Sequence, residues 1–274
     1  MKLCLLLGVL PLAAVAQTPA LISPPLTYHV GPQRAPLYRS YADTARRTSL
    51  YLPSQAEADV VQQLSPRWVV IKREGFLYTM PTAALTDYDP ADADPLPLDP
   101  QTQRITYEGV VPVPGVEEAD LYARAAAWVA KTYTPADTIA RQPAQGELLV
   151  HGARPAVVYR DFQGVPRPVY AGAVRHTLTI YVKDGRYKYQ LTNLMHTAGG
   201  TLNMKAGGPL EQEKANLFGY AGLGSQKPWT DLKIAATRDA RHLMADLQVS
   251  MTGQKVVAPE KKKLVKPVKD PHDF

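Results

Sequence analysis

HTLTIYVKDGRYKYQLTN, residues His176–Asn193, is the stretch whose reading decides the fold. Two alternating runs flank Asp184-Gly185, a dipeptide suited to a two-residue type I′ turn. With that turn, Val182 stands opposite Tyr187, Ile180 opposite Tyr189 and Leu178 opposite Leu191, all on one apolar face. On the other face Lys183 meets Arg186, Tyr181 meets Lys188, Thr179 meets Gln190 and Thr177 meets Thr192. Such a pair belongs to a sheet covered on one side and solvated on the other. The polar side, with Tyr181, Lys183, Arg186 and Lys188, is therefore the candidate partner-binding face.

Upstream of the hairpin, Ile105, Tyr107, Val111 and Val113 alternate with polar residues, and Pro114-Gly115 stops the strand. Glu117, Glu118 and Asp120 then place negative charge in a first helical turn, where the macrodipole favours it. Leu121, Ala125, Trp128, Val129 and Thr132 recur at helical spacing, predicting a helix over Glu117–Tyr133. Leu148–His151 and Ala156–Tyr159 read as two strands, with a Gly/Pro loop over Asp161–Pro168. Downstream, a Gly-rich insert at 197–227 contains Gly199-Gly200 and Gly207-Gly208 and a short helical pattern at Leu210–Phe218. Neither glycine pair joins a strand to a helix with a phosphate-binding lysine, so no nucleotide loop is read there. A last helix opens at Pro228, carries Leu232, Ala236, Ala240, Leu243, Leu247 and Met251 as its stripe, and stops at Gly253.

The ends are of another character. Residues 1–16 of MKLCLLLGVLPLAAVAQ combine Lys2, an apolar run and small residues at Ala14 and Ala16, the pattern of a signal peptide cleaved after Ala16. The only cysteine, Cys4, lies inside that run without the preceding small residues of a lipoprotein site. The expectation is a soluble exported protein, periplasmic or extracellular, with neither disulfides nor thiol chemistry. No later stretch reaches the roughly 18 apolar residues of a membrane span. Lys2 and the tail at 253–274, which holds six lysines, account for most of the formal net charge of +6. The body is thus nearly balanced, which argues against nucleic acid as a partner.

Residues 17–47 read as extended or disordered, with a pairing pattern only in Leu26–Val30. Residues 48–85 carry four short strand patterns, the third being RWVVIK at Arg67–Lys72 and the fourth following Gly75. Trp68-Val69-Val70, the turn at Gly75 and a strand ending in Pro81-Thr82-Ala83-Ala84-Leu85 resemble bacterial SH3-like modules; a hairpin-rich add-on is the other reading. Residues 86–103, with Asp87, Asp89, Asp92 and Asp94 among four prolines, read as an acidic linker. A calcium loop would need an oxygen ligand where Ala91 stands and glycine where Asp92 stands.

Three pieces of residues 104–252 carry a family resemblance: ITYEGVVPVPGVEEADLYARAAAWVAKTY, HTLTIYVKDGRYKYQLTN and the closing Trp229–Met251 helix. In combination, the VPG step into the helix and the YVKDGRYKY hairpin resemble the domain of unknown function with a TATA-binding-protein-like (TBP-like) fold of exported Bacteroidetes proteins. The resemblance implies an α+β fold, an antiparallel sheet with two helices on one face in the order β-α-β-β-β-β-α, and an export route. It supplies no catalytic or binding residues.

The chemistry is sparse. His29, His151, His176, His196, His242 and His272 show no zinc-ligand spacing, and no metal or cofactor is expected. There is no G-x-S-x-G elbow, and Glu117-Glu118 are explained by the helix start. A DNA saddle needs apolar wedges on its open face, and the hairpin offers none. The leading expectation is a non-enzymatic envelope protein that meets a protein or glycan on its open sheet face. The alternative is a small-molecule-binding protein or hydrolase with a site near His151, His176 and His196; a structural spacer is the third possibility.

Overall fold

The computed structural model describes residues 21–46, 48–134, 137–162, 165–198, 207–213 and 226–253. The signal-peptide reading, most of the Gly-rich insert and the tail beyond Gly253 lie outside these residues. Two units are present, one ending at Tyr88 and one beginning at Asp89.

In the first unit a four-stranded antiparallel sheet runs β1-β4-β5-β6, built from β1 (Leu26–His29), β4 (Glu57–Ser65), β5 (Trp68–Arg73) and β6 (Phe76–Pro81). A two-stranded ladder joins β2 (Ala35–Leu37) to β3 (Leu50–Leu52). Bridges Tyr38↔Thr79 and Val30↔Leu85 curl these pieces together. The pairing pattern at Leu26–Val30 is found as β1, and for the rest of residues 21–46 the extended or disordered reading is corrected by β2 and its ladder with β3. Leu26, Tyr28, Val30, Ala35 and Leu37 are all buried, so the stretch has an apolar side to bury and strands to pair with.

The second unit places its core between one sheet and two helices. Its elements are β7 (Tyr107–Pro112), α1 (Glu118–Thr132), β8 (Thr138–Gln142), β9 (Glu147–Phe162), β10 (Val165–Lys183), β11 (Arg186–Thr197), β12 (Gly207–Pro209) and α2 (Gln226–Thr252). The sheet runs β8-β9-β10-β11, and the outer edge of β11 is shared by β7 at one end and β12 at the other. The hairpin register is the expected one, from Lys183↔Arg186 to Thr177↔Thr192. Leu178, Ile180, Val182, Tyr187 and Leu191 are buried with Leu121, Trp128, Val129, Trp229 and Leu247 of the helices, so α1 and α2 cover one face.

Three local expectations change. Leu148–His151 and Ala156–Tyr159 belong to one strand, β9, and its ladder with β10 continues through the expected Asp161–Pro168 loop to Val165↔Phe162. β8, TIARQ, has almost no apolar residue to reveal it; it is an edge strand held by backbone pairing to β9. Gly207-Gly208 form an edge strand on His196 rather than a loop; a Cβ on Gly207 would stand 2.4 Å from the His196 carbonyl oxygen.

The acidic linker reading is corrected as well. Asp89 caps a 3-10 turn at Pro90–Ala93 by accepting from the Ala91 amide at 2.9 Å. Asp92, whose side chain is fully buried, pairs with Arg238 and, at 2.6 Å, with Arg241, and Arg241 reaches Asp89 at 2.6 Å. Two α2 arginines one turn apart provide what turns this segment from solvated chain into packed structure.

The hairpin turn has a second task. Glu117, at the N-cap of α1, makes no side-chain cap, and Asp184 Oδ1 accepts from the Glu118 amide at 2.8 Å instead. Gly185 N donates to Val116 O at 2.9 Å, and Val113 N donates to Gly185 O at 2.7 Å. Asp184→Ala removes a turn residue and a helix cap together. We expect a loss of about 1 kcal/mol in denaturant unfolding. An unchanged midpoint would show that the cap is idle.

Candidate ligand groove on the open face of the sheet

The face opposite the helices carries Glu108, Val110 and Pro112 of β7 and Thr138, Ala140 and Gln142 of β8, all exposed at its rims. Its centre is different. Tyr181 and Lys188 are only 8% and 7% exposed. This corrects the expectation of an exposed Tyr181–Lys188 pair. Both stand on central strands, Tyr181 in register with Glu147 and Lys188, and Lys188 with Tyr181 and Val110. Neighbours on both sides cover a side chain there, and Lys188 Nζ lies 3.9 Å from the Glu108 carboxylate. Lys183 is half-buried and Arg186 exposed, at the turn end of the hairpin.

The concavity lies at the other end of the hairpin. There β10 and β11 slip register: His176 alone faces Asn193 and Leu194 between the pairs Thr177↔Thr192 and Arg175↔Met195. This is a β-bulge, a device that re-aims side chains. Asn193 sits at its centre with φ of 57°, a left-handed conformation asparagine tolerates better than most residues. Its Oδ1 accepts from Arg104 Nη1, and its Nδ2 donates to Thr177 Oγ1 at 3.3 Å. Here too the outer edge of β11 passes from β7 to β12. The result is a groove of about 860 Å³ whose lining includes Arg104, Thr138, His151, Arg175, Thr177 and Asn193.

The three histidines of the sequence reading do not form one centre. His151 is exposed in the groove, with Nδ1 3.2 Å from Thr177 Oγ1. His176 is buried in the wall, its Nε2 hydrogen-bonded to Tyr133 OH at 3.0 Å. Burial, reinforced by the nearby Arg154 charge and opposed by Asp137, pushes its pKa down to about 4. The same burial raises the Tyr133 hydroxyl well above its usual value, so both groups are neutral at pH 7. Gly152 makes this possible, since a Cβ there would meet the Tyr133 ring at 2.4 Å. His196 is elsewhere, 1% exposed, donating from Nε2 to Ala171 O at 2.6 Å with its ring 6.0 Å from that of Trp229. Among the described residues of this unit no histidine is hydrogen-bonded to a carboxylate, and no group of three or more His, Cys, Asp or Glu is placed to hold a metal ion.

The bulge, the left-handed Asn193 and Arg104 had no audible signal in the sequence. NLM at Asn193–Met195 reads as continuing strand, and Arg104 lies in what looked like the end of a linker.

An antiparallel sheet with two helices on one face and an open opposite face is a TBP-like α+β fold. Residues 107–197 match the family described as Domain of unknown function (DUF4468) with TBP-like fold. Among solved structures, a TBP-like protein from Parabacteroides distasonis ATCC 8503 is 13% identical, over 53% of this chain and 93% of that one, with a TM-score of 0.38. A DUF4468 family protein from Bacteroides ovatus ATCC 8483 is 14% identical over 56% and 90%, with a TM-score of 0.41. No curated protein matches the chain.

Proposed function

We propose that this is an exported, non-enzymatic binding module of the cell envelope whose second unit receives a protein or glycan partner on the open sheet face. The groove at the bulge is the observation that carries this reading. Its volume of about 860 Å³ falls in the range of ligand sites, and its floor is rigid sheet rather than loop. A non-glycine residue held in left-handed backbone at its centre is the kind of local strain that gathers at functional sites. Export is supported by the pattern of residues 1–16. The buried Tyr181–Lys188 row moves the contact surface away from the hairpin turn and towards the bulge. A hydrolase is the weaker reading, because His176 is neutral and paired with Tyr133 and His196 faces a backbone carbonyl. Nucleic acid is not the proposed partner, for acidic Glu108 and Glu147 punctuate the open face.

Thr138 is exposed on an edge strand and lines the groove, so Thr138→Trp fills it with little effect on stability, within about 0.5 kcal/mol. Tagged full-length protein recovered from the periplasmic fraction should capture an envelope component that Thr138→Trp loses and Lys183→Glu, at the turn end, keeps. Recovery of the same component by both variants would overturn the groove reading.

A further inference from the structure

The charge balance inside the groove identifies the chemistry of its occupant, granted the binding role proposed above. The groove has two carboxylates, and three of their four oxygens accept from donors of the fold itself. Asp137 Oδ2 accepts from Thr134 N at 2.9 Å and Thr134 Oγ1 at 3.1 Å, and its Oδ1 from Ala153 N at 3.2 Å. Glu211 Oε1 accepts from Ile105 N at 2.7 Å. The cations are less engaged. Arg104 gives one N–H to Asn193, and a guanidinium has five. Arg175 is exposed on β10 beside the bulge and has no side-chain hydrogen bond or ion pair among the described residues.

Beside these cations lies a row of small polar groups. Thr138, His151 and Thr177 stand in register on three adjacent strands and all line the groove. Hydroxyls and an imidazole in a straight row can exchange hydrogen bonds with a polyhydroxylated chain, while an Arg fork matches a carboxylate in bidentate geometry. Only Ala153, Leu194, Met195 and Pro209 are apolar in the lining, and a peptide partner would need buried aromatic or aliphatic anchors. We infer that the groove binds an acidic glycan, with a sugar carboxylate on Arg175, supported by Arg104, and sugar hydroxyls along the Thr138–His151–Thr177 row.

The test is calorimetric titration of the full-length protein with tetragalacturonate, its neutral methyl ester and tetraglutamate. Tetragalacturonate should bind, the ester about tenfold more weakly, and Arg175→Gln should lose about tenfold for the acid while leaving the ester unchanged. Melting of Arg175→Gln should match that of the parent, since the residue is exposed. Equal binding of acid and ester, an unaffected Arg175→Gln, tetraglutamate binding as well as the glycan, or no glycan binding at all would each overturn the inference. Capture that is still lost in Thr138→Trp would then leave the groove reading standing with a different ligand; capture kept in that variant removes both.

Discussion

Asp92→Ala is expected to destabilise the second unit by about 3 kcal/mol, more than any other single carboxylate substitution proposed for it. The Asp92 side chain has no solvent exposure, while its partners Arg238 and Arg241 retain 21% and 24%. Removing the carboxylate leaves two guanidinium groups facing each other across its site, and breaking one side of a buried pair costs more than the pair contributed. Tyr107 adjoins this cluster, and burial raises its hydroxyl above the usual value, an effect the nearby Arg241 charge opposes. Asp89→Ala is the comparison. Asp89 is one quarter exposed and pairs with Arg241, so its loss should be about 1 kcal/mol. Urea unfolding followed by tryptophan fluorescence measures both, since Trp128 and Trp229 lie in the affected core. Equal losses for the two variants would show that the buried position of Asp92 has no special weight.

The second large effect is a dependence of stability on pH set by His176. Its pKa is about 4 in the folded protein and 6.5 when exposed. Between these values the unfolded chain binds a proton that the native state refuses. Stability therefore rises with pH through this window, is complete above 6.5, and is lost as pH falls towards 4. A depression of this size corresponds to about 3 kcal/mol. His196 is depressed in the same direction by burial and adds to the slope. Asp89 is shifted below its usual value by Arg241 and the Ala91 amide, which outweigh its burial; its contribution disappears only at more acid pH. Midpoints collected from pH 4 to 7 should climb steeply for the parent and much less for His176→Gln. Parallel curves would mean that His176 is not the group that titrates.

These two effects also mark where inference from the sequence stops. The Asp92 cluster joins residues about 146 positions apart. In the one-dimensional chain, four aspartates among prolines look like solvated linker, because nothing local announces that Arg238 and Arg241 will arrive on the same side of a helix. His176 reads as one polar residue in an alternating strand. Its burial depends on Tyr133 and on the absent side chain of Gly152.

What the sequence determined by itself is what short-range periodicity can encode. The Asp-Gly turn with period-2 alternation settled the seven cross-strand pairs of β10 and β11 between the turn and the bulge, since a slip of one residue would have turned Leu178, Ile180 and Val182 to solvent. The 3.6-residue stripes settled α1 and α2, and every residue of the α2 stripe is buried. Only the tertiary structure decided which polar residues remain available. Tyr181 and Lys188 are polar in pattern yet buried, because they occupy central strands with neighbours on either side. Arg175 and His151, a few residues further along the same face, stay accessible, because the bulge and the divided edge of β11 open a groove there. Alternation tells which side of a sheet a residue is on; whether that side is wet at that point depends on strands contributed from elsewhere in the chain.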